Sequence, residues 1–228
     1  MARPIVKFKE FVKTVIPYKP AIIRALSYPI FRKWTTEKAD KCPKFQNRYK
    51  LYDHIENEYI GNKAFDYLEF GVYKGASIDY WTKINRDEET RFYGFDTFTG
   101  LPEAWKEGQS VSRPQGSFSS LGVLPNIKDP RVHFIRGLFQ DTLDKFLRNY
   151  KPGGKLVIHN DSDLYTSSLY LLTKCDNIIT PGTIIIFDEL SSWMNEFKAL
   201  EDYVSSYYRN YEVIASTSSF TEVAIIFI

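Results

Sequence analysis

The chain of 228 residues has 25% charged residues, 43% hydrophobic residues and a formal net charge of +2. This length and composition are typical of a soluble globular protein with one sizeable core, so we expect a single main domain. The net charge is too small to indicate a nucleic-acid partner, and the lack of any run of about 18 apolar residues excludes a membrane-spanning helix.

The first 60 residues are predicted to form a helical extension ahead of the main domain at 61–228. We expect short helices and turns there, because proline recurs at Pro4, Pro17, Pro20, Pro29 and Pro43. Residues 1–34 also hold eight Lys and Arg residues against a single acidic residue, Glu10. Such a basic arm packs on its own domain or on a second subunit, or it lies on an anionic surface. A homodimer is therefore one expectation.

The stretch Phe65–Ser77 combines an apolar strand, an acidic turn with two glycines and the start of a helix. Gly71 and Gly75 permit a positive φ or the close approach of a ligand. Glu69 stands where dinucleotide sites have their first glycine, and its charge opposes a pyrophosphate but suits an amino-bearing ligand. The pattern resembles motif I of class I S-adenosylmethionine-dependent methyltransferases. The alternative is an ordinary strand–turn–helix corner with incidental glycines.

A second strand, predicted at 91–96, ends in Asp96. A carboxylate about 20 residues after the glycine turn binds the ribose in nucleotide-binding βαβ units. The segment that follows, 97–130, is rich in Gly, Pro and Ser, and loops of this length are usually lids, binding loops or disordered. Because it follows the carboxyl end of a strand, we predict a lid over the cofactor crevice, with disorder as the alternative.

From residue 65 onward the predicted strands and helices alternate, which indicates right-handed βαβ crossovers and a parallel sheet. The strands are predicted at 65–70, 91–96, 131–136, 154–160 and 182–187, and the helices at 74–85, 138–149, 166–176 and 193–209. The chain ends instead in two strands that predict an antiparallel hairpin, Tyr211–Ser216 and Thr221–Ile228. A mostly parallel seven-stranded sheet closed by such a hairpin, with helices on both faces, is typical of the Rossmann-like class I methyltransferase fold.

Acidic residues follow the last two parallel strands: Asp161 after the first, and Asp188 and Glu189 after the second. Neighbouring parallel strands end at one edge of a sheet, so these carboxylates are expected to converge beside the cofactor site. They repel one another unless a cation lies between them, and oxygen ligands suit Mg²⁺ or Ca²⁺. The alternative is that some of them, such as Asp163 or Glu189, only cap the following helices.

Taken together, these stretches resemble the macrocin O-methyltransferase (TylF/MycF) family, a metal-dependent class I group that methylates sugar hydroxyls of natural products. The matching stretches are 68–77, 94–103, 137–143, 161–168, 181–189 and the helix with Trp193 and 196–200. The resemblance implies S-adenosylmethionine as methyl donor and a divalent cation such as Mg²⁺, held by Asp161, Asp188 and Glu189. It places the cofactor contacts on Glu69, Gly71, Ser77, Asp96, Gly137 and Leu138.

The chain departs from that family in two places. Glu189 stands where a second Asp is common, and His159 and Asn160 stand where apolar residues are common. The resemblance implies methyl transfer to a small-molecule hydroxyl, whose proton needs an acceptor. The candidates for this catalytic role are Asp161, Asp163 and His159, since Leu164 stands where catechol O-methyltransferases have a lysine.

Two other functions remain open at this point. A methyltransferase fold can bind S-adenosylmethionine without turnover, as a silent module or partner subunit, but the intact carboxylate set argues against this. A metal-dependent hydrolase is disfavoured by Glu69, Asp96 and the terminal hairpin. Cys42 and Cys175 imply no disulfide framework and fit a reducing compartment. Because the N-terminus also lacks the apolar core of a signal peptide, we expect a cytoplasmic protein.

Overall fold

The computed structural model describes residues 20–107 and 110–228, without the side chains of 20–26 and 107–111. Most of the predicted basic arm, at 1–19, lies outside the described residues, and the homodimer stays a prediction. In the described ranges the strands are β1 (Lys44–Phe45), β2 (Phe65–Phe70), β3 (Arg91–Asp96), β4 (Trp105–Glu107), β5 (Ser110–Arg113), β6 (Val132–Arg136), β7 (Lys155–Asn160), β8 (Ile184–Phe187), β9 (Tyr211–Thr217) and β10 (Val223–Phe227).

The α-helices in the same ranges are α1 (Pro20–Lys38), α2 (Arg48–Ile55), α3 (Ala76–Ile84), α4 (Phe139–Asn149), α5 (Tyr165–Cys175) and α6 (Glu196–Ser206). A π-helical turn, Glu56–Ile60, continues α2, and a 3₁₀ turn, Asp176–Ile178, continues α5. None of the described helices has the length and apolarity needed to cross a bilayer. The predicted cytoplasmic location stays a prediction.

A central sheet of eight strands runs in the order β1-β9-β10-β8-β7-β2-β3-β6. The strands β8, β7, β2, β3 and β6 are parallel to one another, and β10 is antiparallel to both β8 and β9. The predicted parallel sheet with an antiparallel hairpin is therefore confirmed. The strand beyond the predicted seven is β1, whose two residues pair with Ser216 and Thr217. A two-residue strand is too short for any periodicity to reveal it.

The central strands are buried on both faces of the sheet. In β2, Phe65 and Tyr67 belong to the apolar cluster on one face, whereas Leu68 and Phe70 belong to the cluster on the other. This alternation is the period of two expected for a strand covered by helices on both sides. Each such side chain contributes about 1.5–3 kcal/mol by leaving water. The core therefore fixes the strand ends from which the polar residues project.

The helix α1 passes through Pro29, so the predicted break at this proline is wrong. An interior proline costs a helix about 3 kcal/mol, and here tertiary contacts offset that cost. Phe31 and Trp34 both pack their rings against Phe197 of α6, at centroid distances of 5.0 Å and 5.5 Å. The indole Nε1 of Trp34 also donates a hydrogen bond to the hydroxyl of Tyr211, at 2.7 Å.

The described part of the predicted lid, 97–130, has a defined structure. Strands β4 and β5 form a two-stranded antiparallel sheet. Backbone hydrogen bonds close the loop upon itself: Leu101 N donates to Ser117 O at 2.9 Å, and Gly122 N donates to Phe98 O at 2.7 Å. Phe98 is fully buried at the base of the loop. These contacts favour an ordered lid over disorder, and movement of the lid stays a prediction.

Candidate functional site

A cavity of about 450 Å³ opens at the carboxyl ends of the parallel strands. Gly71 follows β2, Asp96 ends β3, Asp161 follows β7 and Asp188 follows β8, and all four line the cavity. The lid covers it with the rings of Trp105 and Phe118, among other residues. Ligands of open α/β sheets bind at this edge, so the cavity is the candidate site.

The structure divides the residues predicted for the site into two groups. Those that line the cavity are Gly71, Asp96, Leu138, Asp161, Asp163, Asp188 and Glu189. Those that do not line it are Glu69, Gly75, Ser77, Gly137 and His159. Within the second group, Glu69, Ser77 and His159 are buried behind the wall. Their predicted contacts with a cofactor or substrate stay predictions.

The turn after β2 requires glycine at two positions. Gly71 has φ +95°, and a Cβ there would lie 1.8 Å from the carbonyl oxygen of Asp161. The ends of β2 and β7 thus approach too closely for any side chain. Gly75 has φ +79°, and a Cβ there would lie 2.8 Å from Cβ of Pro125 in the lid segment. Backbone geometry, rather than an incidental sequence, accounts for both glycines.

Asp96 holds this turn in place. One carboxylate oxygen accepts hydrogen bonds from the backbone N–H groups of Val72 and Tyr73, at 2.8 Å and 2.7 Å. The other accepts one from Phe98 N, at 2.6 Å. The Gly137 N–H donates to the backbone oxygen of Asp96, at 2.9 Å. Asp96 therefore connects β2, β3, β6 and the start of the lid, and its predicted ribose contact stays a prediction.

Three side chains at the carboxyl ends of β7 and β8 form a group that could hold a metal ion. One ligand atom each of His159, Asp161 and Asp188 lie within 4.8 Å of one another. Glu189, the third predicted ligand, lines the cavity outside this group. Asp188 is buried, and among the described residues its Oδ1 receives no well-aligned hydrogen bond. A buried carboxylate oxygen without a well-aligned hydrogen bond is a ligand atom that suits a cation.

The two aspartates of this group differ in their protonation. Burial, followed by the charge of Asp188, raises the pKa of Asp161 well above its usual range. Burial acts to raise the pKa of Asp188 too, but His159 and Arg48 outweigh it and hold that pKa below the usual value. The difference follows from their neighbours, because Asp188 lies beside His159 and Arg48, whereas Asp161 faces the negative charge of Asp188.

Arg48 is the functional residue that sequence reasoning missed. It is the first residue of α2. Its Nη1 lies 3.0 Å from Asp188 Oδ1 and 4.0 Å from Asp161 Oδ2, and its Nη2 donates to Asp188 Oδ2 at 3.2 Å. Its Nε lies 3.4 Å from Glu222 Oε1. A lone arginine in a segment without a recognised motif carries no signal, and only the tertiary fold brings it to this site.

A buried polar network lies behind the two aspartates. His159 Nδ1 is 2.7 Å from the hydroxyl of Tyr67, and its Nε2 is 3.4 Å from the hydroxyl of Tyr52 and 3.8 Å from Asp188 Oδ1. The Tyr52 hydroxyl in turn donates to Ser77 Oγ, at 3.5 Å. The network connects the group of His159, Asp161 and Asp188 with the first turn of α3. His159 is thus engaged at both ring nitrogens, which disfavours it as the proton acceptor.

Asp163 lines the cavity and is mostly buried. Burial, with help from the charges of Asp188 and Glu189, raises its pKa to about 7. The alternative that Asp163 caps the following helix is wrong, because Leu164 is the N-cap of α5. A carboxylate with a pKa near neutrality is suited to accept a proton.

Glu196, at the start of α6, supports the other side of the site. Its Oε2 accepts a hydrogen bond from the Glu189 N–H at 3.0 Å, and burial raises its pKa well above the usual range. Glu189 caps no described α-helix, because the N-cap of α6 is Asn195. Glu196 therefore holds the backbone that presents Asp188 and Glu189, a role that the sequence pattern did not reveal.

The fold is that of a methyltransferase. A family model described as a methyltransferase domain matches residues 68–190, more than half of the chain. The chain belongs to this methyltransferase family.

A bacterial O-methyltransferase is similar to this chain. The chain is 30% identical over 141 residues to the 8-demethyl-8-(2,3-dimethoxy-alpha-L-rhamnosyl)-tetracenomycin-C 4'-O-methyltransferase of Streptomyces olivaceus. The match covers 54% of this chain and 52% of that protein, so the chain spans about half the length of the curated relative it matches. The resemblance to natural-product O-methyltransferases inferred from the sequence is confirmed.

Two solved structures share the fold. The calicheamicin methyltransferase CalS11 has a TM-score of 0.60 at 18% identity, with 89% of this chain and 91% of that chain covered. The O-methyltransferase NovP has a TM-score of 0.57 at 18% identity, with 91% of this chain and 99% of that chain covered. These likenesses confirm the predicted Rossmann-like class I methyltransferase fold.

Proposed function

We propose that the protein transfers the methyl group of S-adenosylmethionine to a hydroxyl group of a sugar or of a glycosylated natural product, with the help of a divalent cation. The observation that carries the proposal is the meeting of Asp161 and Asp188 on the wall of a cavity at the cofactor edge of a methyltransferase sheet. The name of the Streptomyces olivaceus relative, which acts on a rhamnosyl group, favours a sugar acceptor.

The donor atoms fit a hard divalent cation. Asp161 and Asp188 supply carboxylate oxygens, and Asp188 Oδ1 is buried without a well-aligned hydrogen bond in the described structure. Glu189, on the same wall, is the further ligand that the family resemblance implies. A bound divalent ion would lower the pKa of an acceptor hydroxyl and fix its orientation.

The cofactor would lie against the turn after β2 and the start of α4. Gly71, Asp96 and Leu138 line the cavity there, and Asp96 keeps the turn in shape through its backbone hydrogen bonds. S-adenosylmethionine supplies the electrophilic methyl group. The lid residues Trp105 and Phe118 supply apolar walls that exclude water and offer ring faces to a sugar.

The proton of the acceptor hydroxyl would pass to Asp163. Of the three candidate acceptors, His159 lies behind the cavity wall and Asp161 is committed to the cation group. Asp163 reaches the cavity and does not belong to that group. Its pKa of about 7 leaves a substantial fraction ionised at neutral pH.

Two measurements separate this function from a silent S-adenosylmethionine-binding module. Calorimetry with S-adenosylhomocysteine reports cofactor binding, and mass spectrometry of a panel of rhamnosides and other glycosides reports methyl transfer. We expect S-adenosylhomocysteine to bind. We also expect a product about 14 Da heavier than its acceptor, because a methyl group replaces one hydrogen. Binding without transfer to any acceptor would favour the silent module, and absence of binding would contradict both.

Asp161→Asn and Asp188→Asn are the variants that test the cation group. We expect each to retain S-adenosylhomocysteine binding and to lose methyl transfer, because each removes one charged oxygen ligand. Asp202→Asn is the matched control, since Asp202 pairs with Lys198 and Tyr165 on a different surface. Full transfer by both site variants would show that the carboxylates have another role.

A further inference from the structure

Arg48 occupies the place between the two aspartates that a bridging cation requires. Its guanidinium contacts both oxygens of Asp188 and lies 4.0 Å from Asp161 Oδ2. A metal ion bound to the same pair needs Asp188 Oδ1, the atom that Arg48 Nη1 approaches to 3.0 Å without a well-aligned hydrogen bond. Two positive groups cannot share these oxygens in a largely buried site without strong repulsion.

We infer that Arg48 is an internal cation that competes with a divalent ion for the Asp161–Asp188 pair, and thereby sets the affinity of the site for metal. The inference rests on the cation site of the proposed function but not on the acceptor. Arg48 offsets part of the negative charge of the two carboxylates when no metal is bound. A divalent ion binds only when it displaces the guanidinium from Asp188, so the wild-type affinity is weak.

The local structure favours such an exchange. Arg48 begins α2, whose N-cap, Asn47, accepts a hydrogen bond from Lys50 N at 3.1 Å and so fixes the backbone independently of the arginine side chain. The side chain of Arg48 is 33% exposed, whereas that of Asp188 is 6% exposed. Glu222, at 3.4 Å from Nε, offers a second carboxylate that the displaced guanidinium can retain. The arginine is therefore the movable partner, and the aspartate is the fixed one.

The test is a titration with Mn²⁺, followed by the loss of its free electron paramagnetic resonance signal, on full-length protein saturated with S-adenosylhomocysteine. We expect Arg48→Gln to bind Mn²⁺ at least tenfold more tightly than the wild type. The matched control is Lys50→Gln, which removes the same charge from the same helix. Lys50 is exposed and pairs with Asp53 rather than with the site, so its variant should keep the wild-type affinity.

A double variant tests whether the gain in Mn²⁺ affinity depends on this pair of carboxylates. Arg48→Gln combined with Asp188→Asn should lose the gained affinity, because the ligand oxygen is then neutral. Arg48→Lys retains a positive charge and should stay within threefold of the wild type. If Arg48→Gln does not fold, Arg48→Lys tests the same competition, because its shorter and monodentate contact should raise the affinity for Mn²⁺ above that of the wild type within the same threefold limit.

The outcomes separate this inference from the proposed function. Equal or weaker Mn²⁺ binding by Arg48→Gln, with measurable binding by the wild type, would overturn the competition and leave the metal site standing. An equal gain in Lys50→Gln would show a general charge effect and would also overturn it. If no variant binds Mn²⁺ while S-adenosylhomocysteine still binds, the cation site itself is wrong and the inference falls with it.

Discussion

Asp163 differs from Asp161 and Asp188 in its backbone conformation as well as in its pKa. It has φ +61°, in the left-handed region that Asp tolerates better than most residues. This conformation places the residue between β7 and α5, where its side chain lines the cavity without joining the group of Asp161 and Asp188. A strained position at a cavity wall is typical of residues with a direct role in catalysis.

At the residue scale, Asp163→Asn tests the proposed proton acceptor. Asn keeps the size of the side chain and tolerates the left-handed backbone, so the fold should persist. We expect kcat to fall by a factor of about 10²–10⁴, the usual contribution of a general base, with S-adenosylhomocysteine affinity unchanged. Steady-state kinetics and calorimetry check the two quantities. An unchanged kcat would move the role to Asp161.

Glu69 calls for a separate test, because the structure buries the residue to 1% exposure beside the cavity. Burial raises its pKa well above the usual range, although the hydroxyl of Tyr67 acts in the opposite direction. The sequence predicts that this carboxylate contacts the amino group of the cofactor. Glu69→Gln keeps the shape of the side chain and should weaken S-adenosylhomocysteine binding about tenfold by calorimetry, since Gln lacks the negative charge that would strengthen the hydrogen bond from an ammonium group. Wild-type affinity would show that Glu69 is structural.

Asp129 gives a prediction for stability against pH. Its carboxylate accepts hydrogen bonds from Arg131 Nε and Nη2, at 2.9 Å and 2.7 Å, and these bonds hold the pKa of Asp129 below its usual value. Because the folded pKa is lowered, the stabilisation is present above the unfolded pKa of about 3.9 and is lost as the pH falls through the folded pKa.

We therefore expect Asp129→Asn to lower the free energy of unfolding by about 1 kcal/mol at pH 7, with a difference that shrinks as the pH falls below about 4. Urea denaturation of both proteins across this pH range measures the effect. A difference that stays constant with pH would mean that the carboxylate charge of Asp129 contributes nothing.

At the element scale, the turn between β2 and α3 depends on the close approach of two backbones. Gly71→Ala introduces a Cβ that lies 1.8 Å from Asp161 O, so β2 and β7 must separate. Gly182→Ala is the matched control: its φ of +92° is close to the +95° of Gly71, but a Cβ there meets nothing within 4 Å. Both variants carry the strain of a positive φ, and only the first carries the clash.

We expect Gly182→Ala to cost about 1 kcal/mol of unfolding free energy, and Gly71→Ala to cost more than about 3 kcal/mol and to lose S-adenosylhomocysteine binding. Chemical denaturation and calorimetry give the two quantities. Equal costs in the two variants would show that the turn relaxes around the new methyl group.

Element boundaries show how far local sequence determines this structure. The strand predicted at 65–70 matches β2. Its apolar residues occupy both faces of a covered sheet, as expected for a central strand. The break predicted at Pro29 failed because packing of Phe31 and Trp34 on Phe197 overrides local propensity. Such contacts join residues more than 150 positions apart, and sequence patterns do not reveal them.

At the scale of the whole molecule, the alternation of strands and helices predicted which edge of the sheet carries the site. Asp96, Asp161 and Asp188 meet there because parallel strands share their carboxyl ends. Arg48 and Glu196 could not be placed in this way, since they belong to helices whose positions are set by tertiary packing. The same limit applies to β1, which joins the sheet beside β9 through two residue pairs.

The whole molecule combines a methyltransferase sheet with the neighbouring carboxylates of Asp161 and Asp188 at its carboxyl edge. Arg48, the first residue of α2, contacts Asp188 and lies 4.0 Å from Asp161. The proposed reaction requires a divalent ion to take the place of its guanidinium at Asp188. Metal dependence is therefore the central claim of the proposed function.

The most direct test is the rate of methyl transfer from S-adenosylmethionine to a rhamnoside acceptor by the full chain, before and after removal of divalent ions. EDTA treatment followed by dialysis should abolish product formation, and added Mg²⁺ should restore it, while S-adenosylhomocysteine binding persists throughout. Transfer at an undiminished rate in the metal-free protein would contradict the account.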